Sequence, residues 1–171
     1  MRQTYPKVFL RAIEPEDLDL LYRIENDVKL WNVGTSNVPY SRYTLHDYIA
    51  NASGDIYVDK QVRMMVENEL RQVVGIVDIV NFDPSNRRAE LGLVIEEPFR
   101  HQGYGLSCIR EIAAYALNVL HLHQLFAFID ARNEPSLQLF RELGCIETSR
   151  LKDWLFDGVD YHEAVVMQMV L

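Results

Sequence analysis

The sequence predicts an α/β fold, a sheet flanked by helices, and three observations carry that expectation. Arg88–Ile95 is a short apolar run of strand type. From Leu106 onward the residues Leu106, Ile109, Ile112, Ala113, Ala116, Leu117 and Leu120 recur every three or four positions, the stripe of an amphipathic helix. Near the end, Asp157-Gly158 separates two β-rich runs and is the strongest short hairpin signal in the chain.

Taken in order, Val8 to Arg11 reads as a short strand. Glu14-Pro15-Glu16-Asp17 starts a helix, with proline in the first turn and acids at its positive end. Leu18, Leu21, Tyr22, Ile24 and Glu25 continue it. Residues 27–43 are aromatic, rich in Asn and Ser and broken by Gly34 and Pro39, so they read as loop or short helices. Thr44 is placed to cap a helix through Ala50. Val62–Glu69 and Gln72–Phe82 form a hairpin about Leu70-Arg71, with Gly75 marking a bulge. Asp83-Pro84-Ser85-Asn86 is a turn into the Arg88–Ile95 strand. The long helix runs from Tyr104 to Leu120. Gln124–Asp130 is a buried strand, and Pro135–Leu143 a helix ended at Gly144. Cys145–Trp154 and Tyr161–Val170 close the chain as the hairpin. There is no repeat, no low-complexity segment and no sign of a second domain over residues 1–171.

The stretch that points to chemistry is Arg100-His101-Gln102-Gly103-Tyr104-Gly105. A strand feeding a glycine-rich turn that opens a helix directs backbone N–H groups and a partial positive charge at one spot, a ready site for phosphate. A Walker A loop is excluded, because Gly105-Leu106-Ser107 lacks its lysine. A dinucleotide fingerprint is excluded too, because Cys108 stands where its third glycine belongs.

The pattern Arg/Gln-x-x-Gly-x-Gly/Ala, met by Arg100, Gly103 and Gly105, resembles the pyrophosphate loop of the GNAT superfamily of N-acetyltransferases. Ala89-Glu90 at the start of the preceding strand is similar to that family. So are Asn133-Glu134-Pro135-Ser136 with Phe140-Arg141-Glu142-Leu143-Gly144-Cys145, and the opening Val8–Leu18. The resemblance spans nearly the whole chain and is closest to the ribosomal-protein and spermidine acetyltransferase branch. It implies a central, mixed but mostly antiparallel twisted sheet of about seven strands with about four helices. It also implies acetyl-CoA as co-substrate, without a metal.

On this resemblance Arg100, His101, Gln102, Gly103, Tyr104, Gly105 and Leu106 would cradle the pyrophosphate. The backbone of Leu93, Val94 and Ile95, on a strand splayed from its neighbour, would bind pantetheine and the thioester oxygen. Asn133, Ser136 and Phe140 would line the pantetheine arm, Asn133 and Ser136 serving equally well as turn and capping residues. Glu90 would take the proton from the attacking ammonium, directly or through water. Phe140 departs from the family, whose polyamine-acetylating members often carry a tyrosine there to protonate the leaving thiolate. Acceptor walls are expected from Trp31, Tyr40, Tyr43, Trp154 and Tyr161, since aromatic faces bind cations, with Glu25, Asp47 or Asp153 as counter-charges. Spermidine acetyltransferases tend to place acids before a Pro-Tyr pair; here the pair follows Asn37-Val38. His46, His121 and His123 read as structural.

Seventeen basic against 25 acidic side chains give a formal charge of −8, which argues against nucleic acid and favours a cationic partner. Cys108 and Cys145 have neither metal-ligand spacing nor the number for a disulfide scaffold. Without a signal-type segment or a run of membrane-span length, the expectation is a cytoplasmic protein that does not engage membrane, with homo-oligomerisation left open. Two readings follow. The first is an N-acetyltransferase acting on a primary amine, either a diamine or polyamine such as spermidine or a protein amino terminus. The second is an acyl-CoA-binding module that has lost catalysis.

Overall fold

A computed structural model describes residues 5–30 and 38–171. Seven strands form one sheet in the order β1-β2-β3-β4-β5-β7-β6. They are β1 (Phe9–Ala12), β2 (Val62–Glu67), β3 (Val73–Asp83), β4 (Arg88–Ile95), β5 (Gln124–Asp130), β6 (Ile146–Phe156) and β7 (Tyr161–Val170). Every neighbouring pair is antiparallel except β4 with β5. The mixed, mostly antiparallel sheet is therefore as expected.

The helices are α1 (Leu18–Glu25), α2 (Arg42–Asn51), the single turn α3 (Ile56–Asp59), α4 (Tyr104–Asn118) and α5 (Glu134–Glu142). A 3-10 turn, Pro15–Asp17, leads into α1 through a reciprocal cap between Glu14 and Asp17. Asp17 is also gripped by the Arg11 guanidinium at 2.7 Å. Two expectations need correction. Ser41, not Thr44, caps α2: its hydroxyl accepts the Thr44 N–H at 3.0 Å, so Thr44 sits one turn inside. And α3, capped by Asp55, lies in a stretch with no periodicity long enough to announce a helix.

The bulge expected at Gly75 is present. Val66 pairs with Gly75 and Glu67 with Val73, leaving Val74 as the extra residue. A Cβ at Gly75 would come within 2.3 Å of the Val94 carbonyl, so only glycine lets β3 and β4 approach here.

The sheet has two differently covered faces. One packs Val77, Ile79, Ala89, Leu91, Leu125, Ala127 and Ile129 against Cys108, Ile109, Ile112 and Ala116 of α4 and Leu137 and Phe140 of α5. Burial pushes the Cys108 thiol up to about 12 and that of Cys145 up to about 11, so both behave as small hydrophobes. On the opposite face, Leu21, Ile24 and Leu45 of α1 and α2 pack on Met65 and Ile76. That second core stops at Val94, leaving the β5–β7 half of the face outside it.

Candidate active site

The feature that organises the site is where β4 and β5 part. They pair in parallel only as Arg88↔Gln124, Ala89↔Leu125 and Glu90↔Phe126. Beyond Glu90 the ladder stops, while β4 runs on to Ile95 and β5 to Asp130. On its other edge β4 stays paired with β3 as far as Gly75↔Ile95. The Glu96 N–H donates to the Val74 carbonyl. Antiparallel pairing alternates by residue, so the N–H groups of Gly92 and Val94 also turn towards β3. Those of Leu93 and Ile95 therefore face the gap. The expected splay exists, and of the three residues expected to supply donors Val94 is corrected: its N–H is spent on β3.

The gap opens towards the start of α4. Arg100 lies across its mouth, its Nε donating to the Ile95 carbonyl at 2.9 Å, and Gln102 Nε2 donates to the Pro98 carbonyl. His101 and Gly103 both adopt left-handed backbone, with φ of 59° and 87°. The first bond of α4 runs from Ser107 N–H to the Gly103 carbonyl, so the amides up to Leu106 have no acceptor one turn back. They form the positive end that anions seek.

Both glycines also sit close against protein, and Gly103 is further required by its left-handed backbone. A Cβ at Gly103 would meet Pro6 at 3.1 Å and Tyr5 at 3.2 Å, and one at Gly105 would meet Leu139 at 3.1 Å. The helix start is thus packed between the N-terminal segment on one side and α5 on the other. Leu106 is buried in the core and Tyr104 packs edge-on against Phe99, so both offer the site their backbone.

Asn133 caps α5: its Oδ1 accepts the Ser136 N–H at 3.3 Å. The capping role read for Ser136 thus falls to Asn133, read as a turn residue, and Ser136 lies in the first turn. Phe140 is buried, its ring in the larger core.

Glu90 is half-buried beside the parting, on the face not covered by α4. Its Oε2 accepts from Asn81 Nδ2 at 2.7 Å. Arg88, a sequence neighbour that might have quenched it, pairs instead with Asp83, and Arg87 donates to the His121 carbonyl. A neutral amide holds the carboxylate in place without cancelling its charge.

The expected acceptor residues fare unevenly. Trp31 lies outside the described residues. Glu25 forms an ion pair with Arg63, which also grips Asp78 at 2.6 and 2.9 Å, so Glu25 acts first as an anchor of α1 to the sheet. Tyr40 is half-buried against the second core, its backbone held by the Asn26 side chain. Tyr43 is exposed, Asp47 bonds Asn51, and Tyr161 tilts onto Phe156.

Trp154 does reach the face. Between Leu151↔Ala164 and Leu155↔His162, β6 carries Lys152, Asp153 and Trp154 where β7 supplies Glu163 alone. In this bulge Asp153 has φ 51°, and Trp154 stacks on Phe128 of β5 with ring centroids 6.0 Å apart. The sequence missed Phe126 and Phe128, whose rings meet edge-on at 5.7 Å. Their strand reads as apolar throughout, and nothing in it says that one face stands outside the buried clusters of the described residues.

Comparison with known proteins follows this geometry. A profile described as the Acetyltransferase (GNAT) domain matches residues 7–146. A spermidine N(1)-acetyltransferase of Escherichia coli is 26% identical over 161 residues, covering 94% of this chain and 84% of the relative. A putative ribosomal N-acetyltransferase of Bacillus subtilis is 25% identical over 170 residues, covering 95% and 91%. The crystal structure of spermidine N-acetyltransferase from Vibrio cholerae in complex with CoA and spermine superposes with a TM-score of 0.85 at 22% identity, over 96% of this chain and 95% of that one.

Proposed function

The chain belongs to the GNAT acetyltransferase family, and from that premise we propose that it moves an acetyl group from acetyl-CoA to a primary amine of a polyamine such as spermidine. The parting of β4 and β5 immediately after Glu90 is the observation that supports this most directly. It leaves a slot with backbone donors on one wall and a carboxylate at its closed end.

In this reading the amides at the start of α4 hold the pyrophosphate and the slot takes the pantetheine arm. The N–H groups of Leu93 and Ile95 donate into the slot, where a thioester oxygen becoming anionic would be stabilised. Glu90 accepts the ammonium proton, directly or through one water. The freed amine nitrogen then attacks the thioester carbon. A C–N bond forms, a C–S bond breaks, and coenzyme A is released as thiolate. The nitrogen, cationic once bonded to carbon, sheds its second proton as the C–S bond breaks; Phe140 has no proton to give, so water relays this one to the thiolate, which a weakly basic leaving group tolerates.

Three of the relatives are named as spermidine N(1)-acetyltransferases, which supports a polyamine over a protein amino terminus as acceptor. The second reading, an acyl-CoA binder without catalysis, is favoured by Phe140 alone. Thiol release from acetyl-CoA across a panel of spermidine, putrescine, monoamines and peptides tests both. Spermidine-dependent release is the expected result, and absence of release with every amine, alongside intact acetyl-CoA binding, would establish the second reading.

A further inference from the structure

The geometry points to a binding track for a linear, doubly cationic acceptor along β5: the far ammonium at an Asp130–Asp157 carboxylate cluster, the alkyl chain on Phe126, Phe128 and Trp154, and the reacting amine at Glu90. This deepens, and rests on, the polyamine reading above.

The track begins with the two phenylalanines. Leu125, Ala127 and Ile129 point into the larger core, so Phe126, Phe128 and Asp130 stand on the other face by strand alternation. Phe126 and Phe128 are half-exposed and belong to neither buried cluster. Phe126 is in register with Glu90. Trp154, 57% exposed, extends the row from β6 across β7. Burial of apolar area is worth roughly 25 cal/mol per Å², so a row of rings that the described residues cover only in part, with Trp154 the most exposed, marks a surface on which an apolar ligand gains by binding. A peptide backbone or a sugar amine would leave polar groups unpaired there; the methylenes of a polyamine would not, and its internal ammonium is a cation that a ring face attracts.

At the far end the charge changes. Asp130 accepts from Arg132 at 2.7 Å, and Arg132 also reaches Asp157 at 3.3 Å. Asp157 further accepts the backbone N–H groups of Asp160 and Val159 and bonds His162 Nε2 at 2.5 Å. These bonds hold the Asp157 carboxyl well below the usual carboxylate range. Two carboxylates are thus held side by side at this end of the row, sharing the Arg132 guanidinium. From the Glu90 register at Phe126 to Asp130 is four residues, about 13 Å at a rise of about 3.3 Å per residue. A carboxylate pair, a floor of aromatic rings and the Glu90 carboxylate in line suit an extended polyamine rather than a short or singly charged amine.

The test measures kcat/KM for spermidine, putrescine and n-octylamine in the wild type, D130N and F128A. Spermidine is expected to exceed both other amines. D130N should lower the spermidine-to-octylamine ratio about tenfold, the scale of one hydrogen bond to a charged group. F128A should lower activity with spermidine and octylamine together. As a readout independent of turnover, the tryptophan fluorescence of the wild type should change saturably on titration with spermidine alone, and W154F, which keeps Trp31, should lose most of that change. Circular dichroism melts confirm that each variant is folded.

If amines are acetylated but the ratio is unmoved by D130N, and Trp154 is silent, the track is wrong while the polyamine reading stands. If no amine is acetylated yet Trp154 still responds to spermidine, with D130N weakening that response, the track stands and the catalytic reading falls.

Discussion

Replacing Glu90 with glutamine gives the sharpest separation between chemistry and structure. The substitution keeps the side chain's volume, and Asn81 Nδ2 can donate to the amide oxygen as it did to the carboxylate at 2.7 Å. Stability should therefore fall by no more than about 1 kcal/mol, the net worth of a half-exposed hydrogen bond. Proton acceptance is lost outright. A general base is worth about 10²–10⁴-fold, or roughly 2.7–5.5 kcal/mol of barrier, so kcat/KM for spermidine should drop within that range near neutral pH.

The pH profile then carries the proof. An alkyl ammonium resembling lysine has a pKa of about 10.4, so near pH 7.4 roughly one molecule in a thousand is already free amine. A Glu90→Gln enzyme must wait for that fraction, and its log rate should climb with unit slope until the amine itself titrates. The wild type, which makes the free base in place, should rise much less. The deficit should thus close over about three pH units, while acetyl-CoA affinity, read by calorimetry, stays the same. Parallel profiles for the two proteins would refute the role given to Glu90.

Other substitutions probe the frame around it. Gly103→Ala forces an L-residue to φ 87° against Pro6 and Tyr5, and urea titration should show a loss of about 1–3 kcal/mol together with weaker acetyl-CoA binding. Phe140→Tyr should raise steady-state turnover only modestly; a silent wild type rescued by the tyrosine would make the native chain a binder. Cys108 and Cys145, with thiols pushed up to about 12 and about 11 by burial, should resist iodoacetamide near pH 8 until denaturant is added, as mass spectrometry would show.

Most of the frame was legible because it is written in local signals. The period change either side of Arg100–Gly105, the Asp157-Gly158 turn and Gly75 each specify backbone that few alternatives satisfy. The α2 cap was misplaced by one helical turn because Ser41 and Thr44 are both good caps and lie three apart. The site was less legible wherever a residue's role depends on what lies above a sheet. Phe126 and Phe128 are indistinguishable in sequence from the core residues between them. Glu25 reads as a free carboxylate until Arg63, nearly forty positions away, is folded onto it. Alternation alone could have told Val94 from its neighbours Leu93 and Ile95, but only once the edge facing β3 was known.

The brief parallel contact between β4 and β5 has a consequence for how the protein is assembled. Strands β1 to β4 pair successively, and β5 to β7 form a second antiparallel group closed by a hairpin. Between the groups the sheet is stitched by three residue pairs, Arg88 to Glu90 against Gln124 to Phe126, and otherwise by the helices beneath. The reaction slot is thus the fault line of the fold. Its two walls come from different halves of the chain, and the slot exists only after the halves have docked. A ligand laid along that line touches both sides and favours the joined form over any in which they have separated. On the proposed reading, substrate binding and closure of the sheet are one equilibrium, and occupancy of the slot should raise the protein's resistance to unfolding by mass action alone.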